Sequence, residues 1–74
     1  MDYEFEMLKI RLANLKRQKS DASETYVRNL NQIPGDSNWS ALQTQHYDRA
    51  LERIFSEETE VYKRMEQLSR QQKH

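Results

Sequence analysis

The residues of this chain that could do chemistry fall into three groups, and each asks for something different. Lys9, Arg11, Lys16, Arg17 and Lys19 form a basic cluster with no acidic residue between Met7 and Ser20. A cluster of this kind contacts phosphates, so it marks these five residues as candidates for binding nucleic acid. His46 and His74 are the only histidines. Neither has a second histidine or a carboxylate at the three- or four-residue spacing that a metal on one helix face would need, and the E-x-x-H pattern of di-iron bundles does not occur. His74 is the last residue of the sequence and is expected to be disordered, while His46 reads as a structural residue flanking a seam. Glu57, Glu58 and Glu60 could suggest acid–base work, but neighbouring glutamates on a helix usually form a solvated face. No nucleophile–base pair and no glycine-rich phosphate loop is present. The expectation is a protein that is not an enzyme and uses no cofactor or metal.

The elements that position these residues are set by one stretch, Ile33-Pro34-Gly35-Asp36-Ser37-Asn38-Trp39, which holds the only proline, glycine and tryptophan. Pro34 disfavours helical geometry at Ile33. Pro34-Gly35 suits the centre of a type II turn, whose second residue needs positive φ. Asp36, Ser37 and Asn38 are all good helix N-caps, and Ser40 with Gln43 forms a weaker capping box. The chain therefore reads as an antiparallel helical hairpin: a helix over about 2–32, a turn over 33–37 and a helix over about 38–71.

Apolar periodicity supports both helices. Phe5, Leu8, Leu12, Leu15, Lys19, Ala22, Tyr26 and Ile33 follow a 3-4 spacing, as do Tyr47, Leu51, Ile54, Glu58, Val61, Met65 and Leu68. The middle of the first stripe is weak. Ser20 or Asp21, with Glu24, offers a competing helix start there, but one continuous helix is preferred. Folding at the turn pairs residues whose numbers sum to about 70, which sets Phe5 near Met65, Leu8 near Tyr62, Leu15 near Phe55, Ala22 near Tyr47 and Leu30 near Trp39. The same register lays the basic cluster along Glu52, Glu57, Glu58 and Glu60, so its own chain at least partly neutralises it. It also lets Glu58 pair with Lys16 or Lys19.

A hairpin covers only one side of each helix. Tyr3, Met7 and Ile10 lie nearly opposite the first stripe, and Ala50, Phe55 and Tyr62 widen the second beyond a two-stranded seam. Together Tyr3, Met7, Ile10, Phe55 and Tyr62 form the candidate docking patch, rich in residue types that anchor interfaces.

Composition sets the outer limits. The chain has 74 residues, 35% hydrophobic and 32% charged, with zero formal net charge and no cysteine. That is one small domain (1–74), with 70–74 expected as a frayed tail, and a core near the marginal size that association usually reinforces. Zero net charge argues against a general polyanion binder, and without cysteine there are no disulfides or thiolate metal sites. No leader-like or membrane-crossing apolar run is visible, and the acidic start argues against an amphipathic membrane helix over 2–19. A soluble, cytoplasmic protein is the default.

The outline is similar, in architecture only, to needle subunits of type III secretion and their hairpin co-chaperones, to RNA-binding dimeric hairpins and to WXG-type secreted hairpins. Trp39-Ser40-Ala41 departs from the Trp-x-Gly turn of the last group. The polar run Ser69-Arg70-Gln71-Gln72-Lys73-His74 departs from the apolar end of needle subunits. The reading is a non-catalytic interaction module that serves as adaptor, chaperone or antagonist. It pairs with itself as a four-helix bundle and offers a helical face to a larger protein. The alternative is a dimeric nucleic-acid-binding hairpin.

Overall fold

A computed structural model describes residues 3–71, which form two helices, α1 (Tyr3–Leu30) and α2 (Ser37–Gln71). They lie side by side as an antiparallel hairpin whose Cα atoms span 59 × 15 × 11 Å. The all-α hairpin expected from the periodicity is the observed fold. α1 runs unbroken through Ser20–Thr25, so the competing start at Ser20 or Asp21 is not used. No glycine or proline interrupts that segment, and Ala22 and Tyr26 keep it in register with α2. At the other terminus, Arg70 and Gln71 of the expected frayed tail are the last residues of α2, with Arg70 ion-paired to Glu66. Residues 72–74 of that tail, His74 among them, lie outside the described residues, as does residue 2 of the first helix.

The turn is built as its residue types require. The Asp36 amide donates to the Ile33 carbonyl at 3.3 Å, closing a four-residue turn with Pro34 and Gly35 at its centre. Gly35 sits at φ 82°, the left-handed value that a type II turn demands of its third residue. Asp36 then caps α2: its Oδ1 accepts from the Trp39 amide at 2.8 Å, while its carbonyl takes the first helical bond from Ser40 at 3.0 Å. Trp39 closes the opposite helix end. Its indole Nε1–H donates to the Asn29 carbonyl at 2.6 Å, a second donor to an acceptor at the end of α1 that the Gln32 amide also reaches at 3.2 Å. Leu30 was the expected neighbour of Trp39; the hydrogen bond falls on the residue before it.

The register also holds. Glu4 with Arg64 and Arg11 with Glu57 both sum to 68, and Asn29 with Gln43 sums to 72. Tyr47 stacks on Tyr26, rings 4.7 Å apart, one turn along from Ala22. All three line one groove.

Packing differs sharply between the two halves of the hairpin. The buried apolar side chains are Leu12, Leu15, Ile54, Val61 and Leu68, all in the half away from the turn. Leu8 and Met65 pack against this cluster. Leu15 is 2% exposed and Ile54 1%, whereas Phe55, the expected neighbour of Leu15, is 69% exposed. Tyr62, expected near Leu8, is exposed too. Both are flank positions, and α1 is too narrow to cover the flank as well as the stripe. Toward the turn, polar contacts replace the core. Asn29 Nδ2 donates to Gln43 Oε1 at 3.1 Å. The Thr44 hydroxyl donates to the Ser40 carbonyl at 2.9 Å, so the Tyr26 hydroxyl donates to Thr44 Oγ1 at 2.8 Å. No buried side-chain nitrogen or oxygen among the described residues lacks a partner.

Because a Cβ at Gly35 would meet nothing within 4 Å, Gly35→Ala is expected to cost only the backbone term, about 1–2 kcal/mol. Urea unfolding at unchanged slope measures it.

Candidate docking faces

The five candidate docking residues are all exposed, with Tyr3 at 77% the most open, but the fold divides them between two faces. Met7 and Ile10 line a shallow groove of about 390 Å³ together with Glu4, Arg11, Asn14 and Glu57. Tyr3 stands four residues before Met7, on the same side of α1. Phe55 lines a different concavity, with Lys19, Leu51 and Glu52. Residues 55 and 57 are separated by roughly 200° around a helix, so the two concavities open on opposite sides of the hairpin. Tyr62, seven residues beyond Phe55, comes back almost in line with it. One expected patch is thus two: Tyr3, Met7 and Ile10 on the first face, Leu51, Phe55 and Tyr62 on the second. The 3-4 spacing puts Leu51 on the inner stripe, but it is only half-buried and borders Phe55.

The first face continues toward the turn as a second groove of about 410 Å³, lined by Gln18, Asp21, Thr25, His46, Arg53 and neighbouring residues. Gln18 belongs to both grooves. Its lining mixes polar side chains with Ala22, Ala50 and Ile54, and its tyrosines are engaged in the ring stack and hydroxyl relay described above. His46 is exposed at its edge. Among the described residues, no group of three or more His, Asp or Glu is placed to hold a metal ion, and no helix is long and apolar enough to cross a membrane.

The basic residues do not form one stripe. Arg11 faces the groove and meets Glu57 Oε2 at 3.8 Å, and Glu57 also takes Arg53 from its own helix at 3.9 Å. Lys19 reaches Glu58 at 3.1 Å, the choice between Lys16 and Lys19 that the register left open. Lys9 pairs with Glu6 at 3.3 Å and sits over the Phe5 ring, while Arg17 donates to Asn14 Oδ1. Two of the four expected acidic neighbours, Glu57 and Glu58, therefore neutralise the cluster across the hairpin. Glu60 instead lies 4.0 Å from Lys63 on its own helix. Such exposed pairs orient helices more than they stabilise them, at roughly 0–1 kcal/mol each.

Two acidic residues stand apart. Glu58 occupies a stripe position and is only 7% exposed, but the half-exposed Lys19 ammonium supplies its counter-charge. At the open end, the Arg64 guanidinium holds both carboxylate oxygens of Glu4, Nε to Oε2 at 2.6 Å and Nη2 to Oε1 at 2.9 Å. Residue spacing alone does not mark this fork-on-fork pair, although the register sum near 70 points close to it.

Hydrogen bonding from Arg64 pulls the Glu4 carboxyl below its ordinary 4.5. A group lowered in the folded state contributes above its ordinary value, and that contribution disappears as pH falls through the lowered one. Glu4→Gln should therefore flatten the loss of stability below pH 4.5, which melts at stepped pH would reveal. Replacing the stripe carboxylate, Glu58→Leu, removes a desolvated charge without stranding a buried cation. Stability should stay level or rise by about 1 kcal/mol, measured by thermal melting; a loss of several kcal/mol would show the pair to be structurally required. No protein-family model, curated protein sequence or solved structure matches this chain.

Proposed function

We propose that this chain is a non-catalytic protein–protein interaction module, a helical hairpin that pairs with a second copy of itself and offers a further helical face to a larger protein, as an adaptor, chaperone or antagonist would. The observation that carries the reading is the imbalance between what the hairpin buries and what it exposes. Among the described residues five apolar side chains are buried, while Tyr3, Met7, Ile10, Val27, Phe55 and Tyr62 among others remain in solvent. The accessible surface is 5857 Å², against about 4,900 Å² for a compact 9.0 kDa monomer. An excess of about 1,000 Å² is comparable to the ~800 Å² that each partner contributes to a stable interface. Tyr3, Met7 and Ile10, beside the Arg11–Glu57 pair, supply apolar anchors with a charged rim, the usual composition of an interface centre and its edge.

Sedimentation equilibrium is expected to give twice the 9.0 kDa of one chain in the micromolar range. A protein captured with the wild-type chain should, once purified, bind it directly in calorimetry. Ile10→Lys should abolish that binding while leaving the melt unchanged. A compact monomer at every concentration, with no directly binding protein recovered, would overturn the reading.

A further inference from the structure

The two exposed faces differ in charge layout as well as in residue type. On the Leu51–Phe55–Tyr62 side, helical spacing places Phe5, Lys9, Lys16 and Lys19 along the adjoining flank of α1; Lys9 is paired with the bordering Glu6 and Lys19 with Glu58, which leaves Lys16 to carry the open charge of that strip. The strip of α2 that carries Leu51, Phe55 and Tyr62 holds Asp48 and Glu52, and beyond them Glu66, which Arg70 on the same strip neutralises. This face is thus basic along one helix and acidic along the other, with exposed aromatic side chains in the acidic strip. The opposite face has no such division: Arg11, Arg53 and Glu57 interlock across it, and in its turn-proximal half the Tyr26 and Tyr47 rings are engaged with each other.

We infer that the Leu51–Phe55–Tyr62 face is closed by a second copy of this chain, in a four-helix bundle whose two turns lie at the same end. The inference rests on the interaction-module reading and specifies which face the self-pairing uses. A face-to-face pair of identical hairpins has a two-fold axis within the interface, running either across the helices or along them. An axis across the helices puts the turns at opposite ends and lays α1 on α1 antiparallel, setting the lysine flank of one copy against that of the other. An axis along the helices puts the turns together and lays each α1 on the other copy's α2. Lys16 then faces Glu52 and Lys19 comes beside Asp48, and these charges select this arrangement. The hairpin's own register, summing to 68 at the open end, brings Lys16 of one copy level with Glu52 of the other and Phe5 level with Tyr62. Phe55 and Tyr62, exposed in the isolated hairpin, become buried. Tyr3, Met7 and Ile10 stay outside the bundle, free for a different protein.

Two measurements on the full chain test this. In sedimentation, Phe55→Lys is expected to weaken the dimer on the order of 30-fold or more, as loss of an interface anchor does, while Ile10→Lys leaves it unchanged. Phe55 is already exposed in the hairpin, so helicity by circular dichroism should persist in the monomeric variant. Because the chain has no cysteine, a single spin label at Asn38→Cys reports the arrangement by pulsed dipolar spectroscopy. Turns at the same end give roughly 20–25 Å, set by helix layers about 10 Å apart plus the label arms. Turns at opposite ends give a separation near the 59 Å length of the hairpin. A long distance overturns the orientation, and a dimer lost with Ile10→Lys but kept with Phe55→Lys overturns the face. A wild-type chain that never dimerises removes the inference and leaves the hetero-partner half of the interaction reading to its own binding test.

Discussion

The indole N–H of Trp39 on the carbonyl of Asn29, together with Asp36 capping α2, fixes where the second helix begins relative to the end of the first. Every other cross-helix contact inherits its register from that junction. Shift α2 by one residue and each side chain turns by ~100°: Glu57 would leave Arg11, Glu58 would leave Lys19, and Ile54 would rotate out from Leu15. A turn of four residues with one left-handed glycine leaves little room for an alternative. Pro34 and Gly35 reverse the chain, and the two helix ends they bring together are each satisfied by a side chain from the junction itself.

Above that junction the stabilising contacts change character along the hairpin's length. Near the turn they are directional: the Asn29–Gln43 amide pair and the hydroxyl relay from Tyr26 through Thr44 to Ser40. Further away they are apolar and shape-dependent, from Leu12 to Val61. Polar contacts specify a partner but add only ~0.5–1.5 kcal/mol each. Apolar burial contributes more per residue but tolerates sliding. Placing the specific contacts beside the turn and the apolar ones at the open end lets each half supply what the other lacks.

Much of this arrangement was legible in the sequence. A lone Pro-Gly followed by three good capping residues fixes a hairpin, and a single reversal makes the register a matter of counting. The continuity of α1 followed from the absence of any breaker, against a local capping signal too weak to compete with packing on Tyr47. The flanks were less legible. Periodicity places Phe55 and Tyr62 beside the stripe, but whether a flank is covered depends on how wide the opposing helix is. The same limit hid the division of the docking residues. Angular position around one helix is readable from spacing, but the direction in which α1's far side faces relative to α2's flank is settled only when two helices share a plane.

The distribution of the core bears on how the chain folds as well as on how it holds. The apolar cluster joins Leu12 and Leu15 to Ile54 and Val61, so the shortest chain segment that must be closed before those side chains meet is about 39 residues. Closing a loop of that length costs on the order of 3 kcal/mol in chain entropy before any apolar burial offsets it. Only the contacts beside the turn are short-range enough to form earlier. For a hairpin whose local contacts are polar and whose apolar contacts are distant, chain entropy favours zipping from the turn. Substitutions at Gly35, Asp36 and Trp39 are then expected to act chiefly on the folding rate, and those at Leu15 and Ile54 on the unfolding rate.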